Sequence, residues 1–478
     1  ALAEQSGDRA GMGSALNLLE REHPDIARRI KGLQKSVDAF GAAGYSERQH
    51  GMRHNLAMAY GAMGLYRRAR RMALAVLDAE QRSQNPASRA LTAGVVAALE
   101  AFMHNAEGIR LWRDEVARLN EGLGNRIYTW MVVWSDGRMA EIDGDAKRWR
   151  RCAQAAVDAV RGMPETSFEI ISLAELARAW LQLGKPRQAL AASRRAVDLI
   201  AARETPSLTG LGTPVHTWWA HCLALRAAGQ AAASRQPLER AYRYVCDGVA
   251  SLSDEGLRRS WFNKVEVHRV VIAAWRAQGG VLPHLQADSN LREPFERLVD
   301  SGLRLNELRS EAEWREFIVD EAIELSGAER MLLLIDAPDG LQLAGSQLPV
   351  GEDPAVLLAA VTPWIDEARR SRSVRLRHGP EAAEAVDQRS CLVTPLIAQR
   401  ELLGFLYADI EGLYGRFHDA APANLPQPVS AGPQHRERAP LESQHAPDAG
   451  PRGAALRQGQ ARRLPDFLHS AGQPLRSD

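Results

Sequence analysis

Residues able to do covalent chemistry are present in this chain, but not at the spacings that chemistry needs. Gly184-Lys185 is followed by Pro186, so no GxxxxGK[ST] phosphate loop forms. The sequence has no HExxH pair, no GxGxxG turn after a strand and no nucleophile elbow. Cys152, Cys222, Cys246 and Cys391 stand far apart without a CxxC pair, which argues against both a disulfide framework and a zinc site. Carboxylates are plentiful but scattered over helix surfaces. Neither a histidine-kinase phosphoacceptor helix nor a cyclase signature is visible. These residues predict no catalytic residue, no metal and no cofactor, so the chain by itself is expected not to be an enzyme. His268, set among apolar neighbours, reads as a core histidine, and the run Arg67, Arg68, Arg70 and Arg71 reads as a solvated helix face.

Composition narrows the class. At 478 residues, 45% hydrophobic and 25% charged, the chain is long enough for two or three ordinary soluble domains. A formal net charge of +1 gives no electrostatic reason to expect nucleic acid or an anionic membrane as partner. Five of the 60 Lys plus Arg residues are lysines (31, 35, 147, 185 and 264), a skew that reads as GC-rich bacterial coding rather than an arginine-based binding device. There is no run of about 18 apolar residues and no signal peptide, and a reduced, cytoplasmic setting is expected. The chain opens at Ala1 without an initiator Met and reads as a piece of something longer.

The elements that would position any site fall into two kinds. Residues 1–24 are weakly patterned, and from 25 to 278 helical periodicity hardly stops. Leu56, Ala57, Tyr60, Gly64, Tyr66, Ala69 and Val76 take the small and large positions of a tetratricopeptide repeat of about 34 residues. Leu176, Ala177, Trp180, Gly184, Ala189 and Ala196 repeat that spacing, with looser copies around Gly137 to Ala156 and Trp218 to Ala241. Small residues let paired helices approach, aromatics fill the grooves and Gly opens the turns, so stacking buries a core that one repeat could not bury alone. Trp112, Trp130, Trp134, Trp149, Trp218 and Trp219 are expected to be that packing. The prediction is an α-helical solenoid whose concave face binds a protein partner. A capped helix from Ser253 to Gln278 closes it, and residues 279–292 form a linker.

Beyond a helix expected at Glu293–Glu307, the pattern changes. EAEWREFIVDEAIEL is an amphipathic helix ending at Ser326-Gly327. RMLLLID and LQLAGSQL are strands joined by Pro338-Asp339-Gly340, a helix follows from Pro354 to about Arg370, and SVRLR is an edge strand. CLVTPLI and LLGFLYADI, with Gln399, Arg400 and Glu401 between them, form a closing hairpin whose unbroken apolar runs call for cover on both faces. The prediction is a sheet of about five strands with helices on both sides.

This order of elements, with Pro395 at the end of the first strand of the closing hairpin, resembles a GAF domain over residues 293–419. GAF domains are small-molecule sensing and dimerising modules of signalling proteins. The resemblance implies a ligand between the sheet and the middle segment, roughly Leu348 to Arg389, and directs attention to Trp364, Arg375, His378 and Cys391. The Asn-Lys…Phe…Asp-Glu signature of cyclic-nucleotide-binding members is not present, and nothing marks Cys391 for bilin attachment. Helical repeats followed by a GAF-like domain resemble the central region of large bacterial signalling proteins with a cyclase or histidine-kinase output. The implied role is a regulatory segment in which the repeats bind protein and the GAF-like domain binds a small molecule or forms a homodimer. Two alternatives stand beside it. One is a stand-alone interaction scaffold with a structural GAF-like domain. The other is a repeat-type transcriptional regulator, disfavoured by the lack of a helix-turn-helix or basic face.

Residues 420–478 hold nine of the chain's 24 prolines. No helix can run through that spacing of Pro and Gly, and a disordered tail is expected. Its Ala, Pro, Gly, Arg, Gln and His content also reads as a frame change near Ala420. Without the final helix of a GAF domain, the sheet face carrying Leu403, Phe405 and Tyr407, or its opposite, is expected to lie open.

Overall fold

The computed structural model describes residues 7–20, 25–80, 85–202, 214–250, 252, 254–282, 310–337, 340–398 and 401–417, all within one compact unit, Ala1–Val429. The helix expected at Glu293–Glu307, most of the 279–292 linker, Pro338-Asp339, Gln399-Arg400 and the 420–478 tail lie outside the described residues.

Helical hairpins run through the first part of the chain. They pair α1 (Arg9–Glu20) with α2 (Ile26–Ala42), α3 (Ser46–Ala62) with α4 (Tyr66–Glu80), and α5 (Pro86–Phe102) with α6 (Ala106–Leu123). They continue with α7 (Arg126–Ile142) and α8 (Ala146–Val160), α9 (Ser167–Gln182) and α10 (Pro186–Ala201), and α11 (Pro214–Ala227) and α12 (Arg235–Ala250). The shorter α13 (Glu255–Asn263) and α14 (Glu266–Ala277) end the row. Second helices start at Ile26, Tyr66, Ala106, Ala146 and Pro186, 40 residues apart, whereas a tetratricopeptide repeat has about 34. The helices of α3 to α10 run 15 to 18 residues, which lengthens each hairpin.

The turns of the four hairpins from α3–α4 to α9–α10 each use one left-handed residue at the same phase: Gly64, His104, Gly144 and Gly184, with φ of 77°, 56°, 72° and 64°. The next amide then bonds back across the helix end, Leu65 N to Tyr60 O at 3.0 Å and Asn105 N, Asp145 N and Lys185 N to Glu100 O, Ala140 O and Trp180 O at 2.9 Å. His104 alone in this set carries a Cβ into that region, at a cost of about 1 kcal/mol. His104→Gly is therefore expected to stabilise the chain by about 1 kcal/mol in thermal melts. A lower midpoint would mean that the 3.8 Å contact of His104 with Glu266 outweighs the strain.

Ala57, Ala69, Ala73, Ala93, Ala177, Ala189 and Ala196 are fully buried between helices. Trp130, Trp149 and Trp218 are buried, and Trp112, Trp134 and Trp219 pack partly buried against the same clusters. Trp130 Nε1 ties α7 to α9 by donating to Ser172 Oγ at 2.8 Å.

In the last hairpin Asp254 caps α13 by accepting from Leu257 N at 2.7 Å, and Trp261 Nε1 donates to Val245 O at 2.9 Å. His268 is fully buried against the Trp261 ring, with Nδ1 2.8 Å from Trp261 O. Burial lowers its pKa from 6.5 to about 3. The unfolded chain thus takes up a proton near pH 6.5 that the folded chain refuses until about pH 3. Stability is complete above 6.5 and should fall by about 1.4 kcal/mol per pH unit below it from this group. Denaturant titrations of the wild type and His268→Leu between pH 7 and 4 check this; equal slopes would contradict it.

Glu266 reaches His104, Lys264 lies against the Gly64 turn, and α14 packs on α11 and α12. The row therefore curls until its last hairpin meets the turns of its second and third.

The second part begins with α15 (Glu311–Ser326), capped by Ser310 and closed by Gly327 at φ 62°. Then come β1 (Arg330–Ala337), β2 (Gly340–Gln347), α16 (Pro354–Ser371), β3 (Arg375–Gly379), β4 (Arg389–Ala398) and β5 (Glu401–Glu411). The five strands form one antiparallel sheet in the order β2-β1-β5-β4-β3. β3 reaches only as far as Val393 of β4, which leaves Pro395 on an unpaired edge. Among the described residues no helix is long and apolar enough to cross a membrane.

Both sheet faces are covered, contrary to the open face expected from the tail. Phe405 and Tyr407 lie with Leu332, Leu334 and Val393 beneath Leu357, Val361 and Ile365 of α16, and only Leu403, at 45% exposure, remains at the surface. On the opposite face, Leu406, Ala408 and Ile410 join Val319 and Ile323 of α15 in a core that runs on into Leu257 and Phe262 of α13. The repeat region itself supplies cover on that side. A Cβ on Gly256 would collide with the carbonyl oxygens of Glu324 and Leu325, so only glycine allows this approach. Arg259 Nη1 donates to Ser326 O at 2.9 Å, Asn263 Nδ2 to Gly327 O at 2.7 Å and Lys264 Nζ to Glu329 O at 2.7 Å.

The same docking corrects the solvated reading for Arg68, whereas Arg67 stays exposed and Arg70 and Arg71 are half-buried. Arg68 is buried between Glu321, at 3.3 Å, and Glu324, with its guanidinium 4.4 Å from the Tyr60 ring centre. Arg71 pairs with Asp320, Arg67 Nη1 donates to Ser346 O at 2.7 Å, and Arg70 turns inward to Glu100. A helix that looks like a polar face is the clamp for an acidic α15.

Candidate functional site

Strand alternation places Arg330, Leu332 and Leu334 of β1, Arg389, Cys391 and Val393 of β4, and Phe405, Tyr407 and Asp409 of β5 on one face. α16 covers the apolar members. Where its N-terminal turn begins, the charged ones are left under an open cleft of about 1120 Å³. Its floor holds Arg330, Arg389, Cys391 and Tyr407, one wall is Val356, Leu357, Ala360, Val361 and Trp364, and the other is β3 with the turn to Glu381.

Asp409 organises the floor. It is fully buried, accepts Arg330 Nε on both oxygens at 2.9 Å and Nη2 at 2.7 Å, Arg389 Nη1 at 2.6 Å and Tyr407 Oη at 2.5 Å. Burial would lower the Arg330 pKa, but its bonds to Asp409 outweigh this and hold it fully charged. Burial, reinforced by Asp409, pushes up the Tyr407 phenol. Burial also pushes up the Cys391 thiol, which Tyr407 Oη approaches at 3.7 Å. Both keep their protons near neutral pH, so this floor binds by hydrogen bond and charge and offers no thiolate.

Three of the four residues singled out from sequence line this cleft: Trp364 on α16, His378 on β3 and Cys391 on β4. His378 Nδ1 lies 2.8 Å from Ser390 Oγ. Arg375 is not in the lining; it bonds Ser371 Oγ at 3.1 Å beside Glu367, and its strand neighbour Arg377 takes the cleft position. Sequence reasoning passed over Arg330, Arg389, Tyr407 and Asp409. For Asp409 the signal is a charge at a strand position whose preceding period-two neighbours, Phe405 and Tyr407, are aromatic. Among the described residues no cluster of three or more His, Cys, Asp or Glu is placed to hold a metal.

No protein-family model matches the sequence, and no curated protein matches it. Among solved structures, the chain is similar to a signal transduction ATPase with numerous domains (STAND) protein with a tetratricopeptide repeat sensor from Pyrococcus horikoshii, at 11% identity and a TM-score of 0.36. The likeness covers 73% of this chain and 46% of that one, so the chain spans about half the length of the structure it matches.

Proposed function

We propose that this chain is a non-catalytic sensory segment of a bacterial signalling protein: a GAF-like domain whose cleft takes a small molecule, clamped to a tetratricopeptide-like scaffold that takes a protein partner. The observation that carries this reading is the cleft itself. Its volume suits a small organic ligand, apolar walls face charged donors, and its only thiol is held protonated by burial. The protein partner would use the inner surface of the curled row not already met by α13 and α14. The order of helix, hairpin, helix, edge strand and hairpin supports the GAF-like assignment by analogy of fold.

Thermal unfolding of the full chain across a small-molecule library tests the ligand reading. A compound at 100 times its Kd should stabilise the chain by about 2.7 kcal/mol. Ala360 is exposed at the cleft wall, so Ala360→Trp should obstruct the apolar wall, leave the core intact and sharply reduce that shift. A library without a hit, or a hit indifferent to Ala360→Trp, would favour an interaction scaffold in which the sheet is structural.

A further inference from the structure

The cleft and the repeat interface share one carboxylate. Glu329, in the turn between α15 and β1, is 3% exposed. Its Oε2 accepts from Arg389 Nη1 of the cleft floor at 2.8 Å, and its Oε1 accepts from Arg269 Nη1 of α14 at 2.6 Å. Burial would raise its pKa, but the two arginines outweigh this and hold its carboxyl below the usual range, so it is ionised at neutral pH. Arg330 spends Nε and Nη2 on Asp409. Arg389 uses Nη1 for both Glu329 and Asp409, and its Nε and Nη2 take no hydrogen bond among the described residues. The floor therefore offers one guanidinium edge with donors to spare. Of the rim acids, Glu352 faces Arg330 at 3.4 Å and Asp353 caps α16 through Ala355 N, leaving Glu381.

Resting on the reading of the cleft as a ligand site, we propose that its ligand is a small organic anion, a carboxylate or phosphate on a flat apolar body. Arg389 receives the charged group, Trp364 and the α16 wall receive the body, and Glu329 couples the anion to the docking of the repeats. The coupling is electrostatic. Arg269 neutralises Glu329, which otherwise leans on Arg389 and repels an anion beside it. Docked repeats thus raise the affinity for the anion, and by reciprocity the anion tightens the docking.

Isothermal calorimetry on the full chain with 2-naphthoate, 2-naphthyl phosphate and the neutral 2-naphthamide tests this, the first two distinguishing a carboxylate from a phosphate source. At least one anion should bind, with the amide about tenfold weaker or worse. Arg269→Met, on the repeat side of Glu329, should weaken that anion by about fivefold or more, and Glu329→Gln should tighten it by a similar factor. Loss of structure would weaken both, so the opposite signs separate linkage from loosening, and melts of each variant confirm folding. An amide that binds as tightly as the anions overturns the anion assignment while leaving the cleft a ligand site. Equal affinity of Arg269→Met and wild type overturns the coupling. Binding by none of the three overturns the anion assignment, and binding indifferent to Ala360→Trp overturns the cleft reading itself.

Discussion

Arg68→Met is expected to cost about 3–5 kcal/mol of stability in denaturant titration and to loosen the sheet from the repeats. Arg68 and its partners Glu321 and Glu324 are all buried, at 8%, 3% and 2% exposure. Removing the cation leaves two carboxylates with no solvent to take up their charge, and the loss exceeds the worth of the original pairs. Adding Glu321→Gln and Glu324→Gln to Arg68→Met should recover much of the loss, because an uncharged interface no longer needs the arginine. A cost under about 1 kcal/mol would mean that these pairs are solvated like ordinary surface pairs.

Asp409→Ala should be comparably damaging, about 3–5 kcal/mol, but in the cleft rather than at the interface. The side chain is fully buried and accepts from Arg330, Arg389 and Tyr407 at once. Without it two guanidinium groups face each other across the floor and the phenol loses its acceptor. Asp409→Asn keeps one acceptor oxygen but turns an amide N–H toward the arginines, so it should fall between wild type and alanine. Chemical unfolding of the three proteins gives the order; an alanine variant as stable as wild type would show that the floor does not depend on this carboxylate.

Much of the fold is legible in the sequence because period and turn chemistry are local. Gly184, the apolar face of EAEWREFIVDEAIEL and the unbroken run of LLGFLYADI each mark an element without knowledge of its neighbours. The 40-residue period is also written there, in Gly64, Gly144 and Gly184, but His104 stands in the second place of that series and hides it. What was not legible is long-range pairing. Nothing near Arg68 in sequence marks Glu321 and Glu324 as its partners, and a run of four arginines with a near-neutral chain looks like a solvated face. The covered sheet is the same case, since α13 and α15 reach the Leu406 face only after the row has curled. At the cleft, Trp364, His378 and Cys391 could be placed from element order, whereas Arg375 and Arg377 share one face of β3 and differ only in their place along the strand. Arg330, Arg389 and Asp409 become a site only when three strands align.

The linkage between cleft and repeats is tested most directly by a double-mutant cycle on Arg269→Met and Arg389→Met, read by denaturant unfolding of the full chain without ligand. Each arginine donates to one oxygen of buried Glu329. Either one alone can still neutralise it, and with both gone only Lys264, which bonds the Glu329 carbonyl rather than its carboxylate, stands beside the charge. The double variant is therefore predicted to lose more than the sum of the single losses, with an interaction energy of about 0.5–3 kcal/mol. Additivity within about 0.3–0.5 kcal/mol would contradict the account, because it would mean that the cleft arginine and the repeat arginine do not sense each other through Glu329.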